Sequence, residues 1–397
     1  MAENIVHLVL ARVSGAPEGV KGISLFVVPK FMVNGDGSLG TRNDVHCVSI
    51  EHKLGIKASP TAVLQFGDHG GAVGYVVGEE NRGLEYMFIM MNAARYAVGV
   101  QGIAIAERAY QKAVTFAKDR VQSRPVDGSI KASVAIIHHP DVKRMLMTMR
   151  AYTEGCRAMA SVAAAAYDAA HHHPDAEVRK QNQAFYEFMV PLIKGYSTEM
   201  SQEVTSLGVQ VHGGMGFIEE TGAAQYYRDA RILTIYEGTT AIQSNDLVGR
   251  KTARDGGQTA KDIAGQIEAT ESQLLDQGSA DALAVAKRLK AARLAFVDVV
   301  EFVAANTKAS PNAVFSGSVP YLMLAGNLVA GWQMARSLLV AQEQLEKSVM
   351  GVDVGFMKAK ITTARFYADH LLTKAPGMRD SIVEGADCVT ALALEAF

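Results

Sequence analysis

Apolar residues in the first eighty positions fall into short β-rich runs separated by turn signals. Strands are predicted over residues 5–10, 22–28, 45–50 and 61–66, with a last one over 73–77, because branched and aromatic residues cluster there. Ser14-Gly-Ala-Pro17 and Asn34-Gly-Asp-Gly37 read as turns between them. From about Leu84 the period becomes helical. Ile103, Ala106, Tyr110, Ala113 and Ala117 recur at three- and four-residue steps. A second stripe, Val142, Met145, Leu146, Met149, Cys156, Met159 and Ala163, follows Pro140-Asp141, a favourable first-turn pair. A third helix is predicted over 181–207, kinked or divided by Pro191. A fourth begins after Glu237.

The pattern therefore predicts an α+β chain, mainly α. A partial β-domain (1–83) leads into an antiparallel four-helix bundle (84–254). Arg254-Asp-Gly-Gly-Gln258 reads as a linker, and residues 258–397 as an appended helical domain, with Leu283, Ala286, Leu289 and Ala292 on one stripe.

Composition narrows the function. Over 397 residues, 49% hydrophobic and 20% charged positions describe a well-packed chain of two or three domains. A net charge of −2 without a basic block argues against a nucleic-acid partner. Cys47, Cys156 and Cys388 lie far apart, as expected of reduced thiols in the cytoplasm. No basic stretch followed by an apolar core stands near Met1. The apolar run 321–340 holds Asn327, Gln333 and Arg336, so a buried or interface helix is expected and no membrane span.

Candidate chemistry concentrates in Arg231-Ile-Leu-Thr-Ile-Tyr-Glu-Gly-Thr-Thr-Ala-Ile-Gln243. The lone carboxylate, Glu237, sits among Leu233, Ile235 and Ile242. A desolvated carboxylate there would suit a general base; on residue types alone, a solvated helix-start glutamate is the commoner outcome. Upstream, Gln210-Val-His-Gly-Gly-Met-Gly-Phe217 lets backbone approach a ligand, or makes a tight turn after a helix. His171-His-His173 reads as a solvated helix end and His138-His139 as ordinary, so no metal site is expected. No GxGxxG follows a strand, so no NAD is expected either.

The two motifs in this order resemble the catalytic-base and flavin-contact loops of the acyl-CoA dehydrogenases, and the resemblance runs to about residue 255. It implies that Glu237 removes the α-proton of an acyl-CoA thioester while FAD accepts a hydride from the β-carbon, giving a trans-2-enoyl-CoA. Electron-transferring flavoprotein would reoxidise the flavin; an oxidase using oxygen is not separated by these motifs. The resemblance assigns Arg120, Gln210, Gly213, Gly214 and Thr239 to FAD, with Arg120 reaching the pyrophosphate across a dimer interface. It assigns Arg95, Tyr236 and Gly238 to substrate, and His212 either to the flavin region or to packing. It also implies a homodimer or homotetramer. The segment Lys53-Leu-Gly-Ile-Lys-Ala-Ser59 is similar to a family turn, and the C-terminal helices resemble those of longer bacterial members. Two departures stand out: Val-Gln-Ser-Arg after Arg120, and Ala241 where some relatives carry a polar residue. Segments of the Thr-Glu-Pro and Trp-Ile-Thr type do not occur. Residues 1–83 therefore correspond to the second half of the family's β-domain, and the expectation is a shortened chain that holds FAD poorly. The competing expectation is a non-catalytic helical scaffold.

Overall fold

Period-two patterning becomes seven short strands in the computed structural model, which describes residues 2–347 and 349–397. Residues Met1–Ala94 form one compact unit and Arg95–Phe397 another. In the first, β1 (Val6–Ala11), β2 (Ser24–Pro29) and β7 (Tyr75–Val76) make an antiparallel sheet of order β1-β2-β7. The hairpins β3 (Phe31–Val33) with β4 (Leu39–Arg42), and β5 (Val45–Ile50) with β6 (Ala62–Phe66), form two further two-stranded sheets. The β3–β4 hairpin is an addition to the predicted strands. Its Asn34–Gly37 turn was legible, but three- and four-residue strands are too short to show a period. Buried Asn43 clasps the unit: its amide donates to the carbonyls of Pro29 and Val73, both at 2.8 Å, and its oxygen accepts from the Val73 N–H at 2.9 Å.

The helical pattern becomes α1 (Gly83–Asp119), α2 (Pro140–His172), α3 (Ala176–Pro191) and α4 (Ser197–His212). Pro140 occupies the first turn of α2, and the Asp175 side chain caps α3 by accepting from the Glu177 N–H at 2.8 Å. Thus His171–His173 do mark an exposed helix end. Between α3 and α4, Leu192–Tyr196 form one π turn directly after Pro191. Proline has no N–H to donate back along the helix, and a wider turn is a common way to absorb that loss. Every residue of this turn is buried. Gly99 of α1 meets it at backbone distance; a Cβ there would lie 2.5 Å from the Ile193 carbonyl oxygen.

Beyond α5 (Ala223–Ala230) and α6 (Thr240–Asp246), a second π turn, Leu247–Ala253, leads to α7 (Gln258–Gln277) and α8 (Ala280–Asn306). Then follow α9 (Pro311–Ser316), α10 (Ser318–Glu346), α11 (Val354–His370), α12 (Ala375–Val383) and α13 (Ala386–Val389). Helix α10 contains the apolar run 321–340 and is a buried core helix, packed on α2, α6, α7, α8, α11 and α12. Among the described residues one helix, α1, is long and apolar enough to cross a membrane. Its stripe of Val98, Ile103, Ala106, Ala109, Ala113 and Ala117 is buried by packing, while 28% of its most apolar window is buried and Phe88, Ile89 and Met90 are exposed. One continuous apolar core runs from Ile103 to Ile382.

The tightest junction in that core is Tyr196 against α10. Its hydroxyl lies 3.0 Å from the Tyr367 hydroxyl, and the Tyr367 hydroxyl donates to the Asn327 carbonyl at 3.1 Å. Gly326 leaves room for the Tyr196 ring, since a Cβ there would lie 2.3 Å from Cγ. We predict that Gly326→Ala destabilises the protein by about 1–3 kcal/mol through overpacking, despite alanine's better helix propensity. Chemical denaturation checks this; an unchanged midpoint would show that the ring moves freely.

Candidate active site

Tyr236, Glu237, Gly238 and Thr239 form the turn into α6. Glu237 has φ +54° and Gly238 φ +90°, so two successive residues occupy the left-handed region. For a glutamate this is uncommon and needs support from outside the turn. Two buried side chains supply it. Lys194, from the π turn, donates to the Gly238 carbonyl at 2.6 Å. The Gln243 amide donates to the carbonyls of Glu237 and Gly238, each at 3.3 Å. The φ of Gly238 favours glycine, and a Cβ there would also displace the Gln243 amide, 2.7 Å away, from its hydrogen bonds. Thr239 caps α6 by accepting from the Ile242 N–H at 3.3 Å, and Thr240 donates to Glu199 at 2.5 Å. The half-buried Tyr236 hydroxyl donates to Gln101. Burial, and then the Glu237 charge, raise the Tyr236 phenol above its ordinary range.

One expectation is corrected. Glu237 is exposed, not desolvated by its apolar neighbours: Ile235 is 45% and Ile242 47% exposed. Of the three flanking residues only Leu233 enters the core.

Two buried cations lie within electrostatic reach of Glu237. Lys194 is fully buried, and desolvation pushes it down to about 8 against the opposing pull of Glu199 and Glu237. Arg95 lies well inside α1 and is 5% exposed. It faces Asp246 at 3.5 Å, while its Nε has no partner. Sequence reasoning missed Lys194 and Gln243. A lone lysine in an apolar helix was a signal, but nothing local linked it to residue 238.

The glycine cluster lies elsewhere. Gln210 sits exposed in the last turn of α4, and Gly213 ends that helix with φ +59°. Gly213–Phe217 form an exposed 3-10 turn. Cβ atoms at Gly213 or Gly214 would meet nothing within 4 Å, so a ligand can approach the backbone there. Gly216 is different: its Cβ would strike the Val209 carbonyl oxygen at 2.2 Å, which makes it a packing residue. His212 is buried, stacked on Phe116, with Nδ1 at 2.7 Å from the Gly208 carbonyl oxygen. These two rings line a cavity of about 450 Å³ with Arg108, Lys112, Thr115 and Thr221. Arg108 and Lys112 give this cavity a cationic side, and Asp119 also lines it. Arg120 follows the C-terminus of α1, exposed and 3.4 Å from Gln122. Among the described residues, no hydrogen bond or ion pair joins Arg120 or the glycine turn to residues 236–239.

Comparison with known proteins identifies the architecture. Residues 81–251 match the family model "Acyl-CoA dehydrogenase, C-terminal domain", and 260–393 match "Acetyl-CoA dehydrogenase C-terminal like". The chain is 55% identical over 394 residues to 3-methylmercaptopropionyl-CoA dehydrogenase of Ruegeria pomeroyi, covering 99% of this chain and 66% of that protein. The chain belongs to the acyl-CoA dehydrogenase family. It is also 38% identical to the broad-specificity linear acyl-CoA dehydrogenase FadE5 of Mycobacterium tuberculosis, over 96% of this chain and 64% of that one. It therefore spans about two-thirds of the length of these relatives. The fold is shared with an acyl-CoA dehydrogenase from Bacillus anthracis solved with FAD, with TM-score 0.70 and 21% identity over 98% of this chain and 62% of that one. The two family models meet near residues 251–260, where Gly256 and Gly257 both take positive φ, although the core continues across that boundary.

In this family member, Lys194→Met separates support of the loop from stability. We predict faster amide exchange over residues 235–239. The variant also tests linkage. The Lys194 pKa is about 8 folded against an ordinary 10.5, so between these values the unfolded chain binds more protons. Stability relative to Lys194→Met should therefore rise with pH from 8 to 10.5, by up to about 3 kcal/mol. Parallel pH-dependent denaturation of both proteins checks the sign; a flat difference would mean that Lys194 is hydrated.

Proposed function

We propose that this chain carries the proton-abstracting part of an FAD-dependent acyl-CoA dehydrogenase. The observation that carries the reading is Glu237, held in a left-handed turn by Lys194 and Gln243. A carboxylate on a backbone fixed in this way, within reach of two buried cations, is poised to take the α-proton of an acyl-CoA thioester. A bent backbone at 237–238 also leaves an N–H able to polarise the thioester carbonyl, the help an acidic α-carbon requires. FAD, when bound, supplies the acceptor for the β-hydrogen. The chain's part is to orient FAD through the backbone at Gly213 and Gly214, Gln210, Arg120 and the Thr239 hydroxyl, while Arg95, Tyr236 and Gly238 shape the substrate side.

The Ruegeria relative supports 3-methylmercaptopropionyl-CoA, or a similar short acyl-CoA, as substrate. Electron-transferring flavoprotein is the natural electron acceptor for a dehydrogenase of this kind, and the cytoplasm its compartment. The separation of Arg120 and the glycine turn from residues 236–239 favours a homo-oligomer in which one cofactor is touched by two subunits. Residues 84–254 carry the site, and 258–397 act as a supporting domain that buttresses it through α10.

Glu237→Gln should lower acyl-CoA dehydrogenation by at least about 10²–10⁴-fold while flavin content stays unchanged. Near-normal turnover would assign the base elsewhere.

Arg120→Ala should weaken flavin retention about tenfold, the scale of one charge-assisted contact. Equal flavin content after dialysis of variant and parent would place Arg120 outside the cofactor site.

A further inference from the structure

We propose that Asp44, His46 and His69 form a surface site for a divalent first-row transition ion, with zinc the best match. Asp44 and His46 are two residues apart at the start of β5, so their side chains leave on the same side. His69 lies 23 residues further on, in the loop after β6. Strand pairing brings it back: Val45 is opposite Phe66, and the Gly67 N–H donates to the Asp44 carbonyl at 3.0 Å.

The loop then closes around the Asp44 carboxylate. Oδ2 accepts the backbone N–H groups of His69 at 2.6 Å and Gly71 at 3.2 Å. Gly70 and Gly71 take φ +118° and +112°, a path that side-chain-bearing residues rarely follow. With Oδ2 so engaged, the carboxylate is fixed before any ion arrives, the kind of outer-shell support that orients metal ligands. Oδ1 remains and faces His46 Nε2 and His69 Nδ1, both at 3.3 Å. All three atoms lie within 4.8 Å of one another.

Zinc bonds of about 2.0–2.2 Å in tetrahedral geometry put ligand atoms about 3.4 Å apart. Two edges of the triangle already match. The third closes by rotation of two imidazoles that are 46% and 74% exposed and packed edge-on, with ring centroids 5.2 Å apart. Two neutral imidazoles and one carboxylate are a borderline donor set, which favours zinc, copper or nickel over magnesium or calcium. Three protein ligands leave a fourth position for water. The ion would tie the loop of residues 67–71 to β5.

The alternative is an ordinary ion pair between Asp44 and protonated imidazoles. The test is calorimetric titration of chelator-treated protein with zinc chloride, with cobalt absorbance as a second readout. The expected result is one saturable ion per chain and a zinc-dependent rise in melting temperature. His69→Ala and His46→Ala should each weaken binding at least tenfold, with the melting of the ion-free protein unchanged. Absence of saturable binding would overturn the proposal in favour of the ion pair. Parent-like binding in both variants would overturn it in favour of another donor group, such as the exposed His171 and His172.

Discussion

The π turn after Pro191 is the constraint on which the helical unit depends. The turn follows a residue with no N–H to donate, and its widening rotates five buried residues out of the register of a regular helix. Two of them then do different work. Tyr196 enters the C-terminal core, where Gly326 makes room for its ring, the Tyr367 hydroxyl is its hydrogen-bond partner, and Tyr367 in turn donates to Asn327. Lys194 turns toward residues 237–238 and holds their backbone. The core and the candidate site are thus set by one local departure from α-helical geometry.

Burying a lysine with no carboxylate hydrogen-bonded to it is costly, and its depressed pKa records that cost. The return is positional. A carbonyl that accepts from a buried ammonium at 2.6 Å has little freedom, and the left-handed pair at Glu237 and Gly238 needs such restraint. Gln243 adds a second restraint from the first turn of α6, so the turn is held from both sides. Glu237 itself stays exposed. The structure fixes the backbone under the carboxylate and leaves the side chain open to a substrate.

The C-terminal helices are a family block of their own, yet they share one core with the bundle. Thr252 in the second π turn lies 2.9 Å from the Tyr321 hydroxyl, and Lys360 of α11 donates to Glu154 of α2 at 2.7 Å. Inside the block, Arg293 meets both oxygens of Glu271, at 2.8 and 2.9 Å, and the Trp332 indole donates to Thr270. Polar groups in this core are paired across helices, which fixes the register of otherwise smooth, alanine-rich surfaces.

Periodicity alone determined most of the elements: five of the seven strands, the start of α2 at Pro140, the break at Pro191 and the buried run 321–340. These are legible because they rest on spacing and on proline's missing donor, both local properties. The Tyr-Glu-Gly-Thr and glycine motifs likewise pointed to the family from the chain alone. Only the tertiary structure decided which side chains serve those motifs. Lys194 is 44 residues from the carbonyl it holds, and Arg95 is 151 residues from Asp246. His69 reaches Asp44 only because β5 and β6 pair in one register. Exposure of Glu237 was misjudged for the same reason: apolar neighbours in sequence do not bury a residue when they themselves lie at the surface, as Ile235 and Ile242 do. Contacts of this kind depend on how helices and strands meet, and a linear pattern carries no record of that.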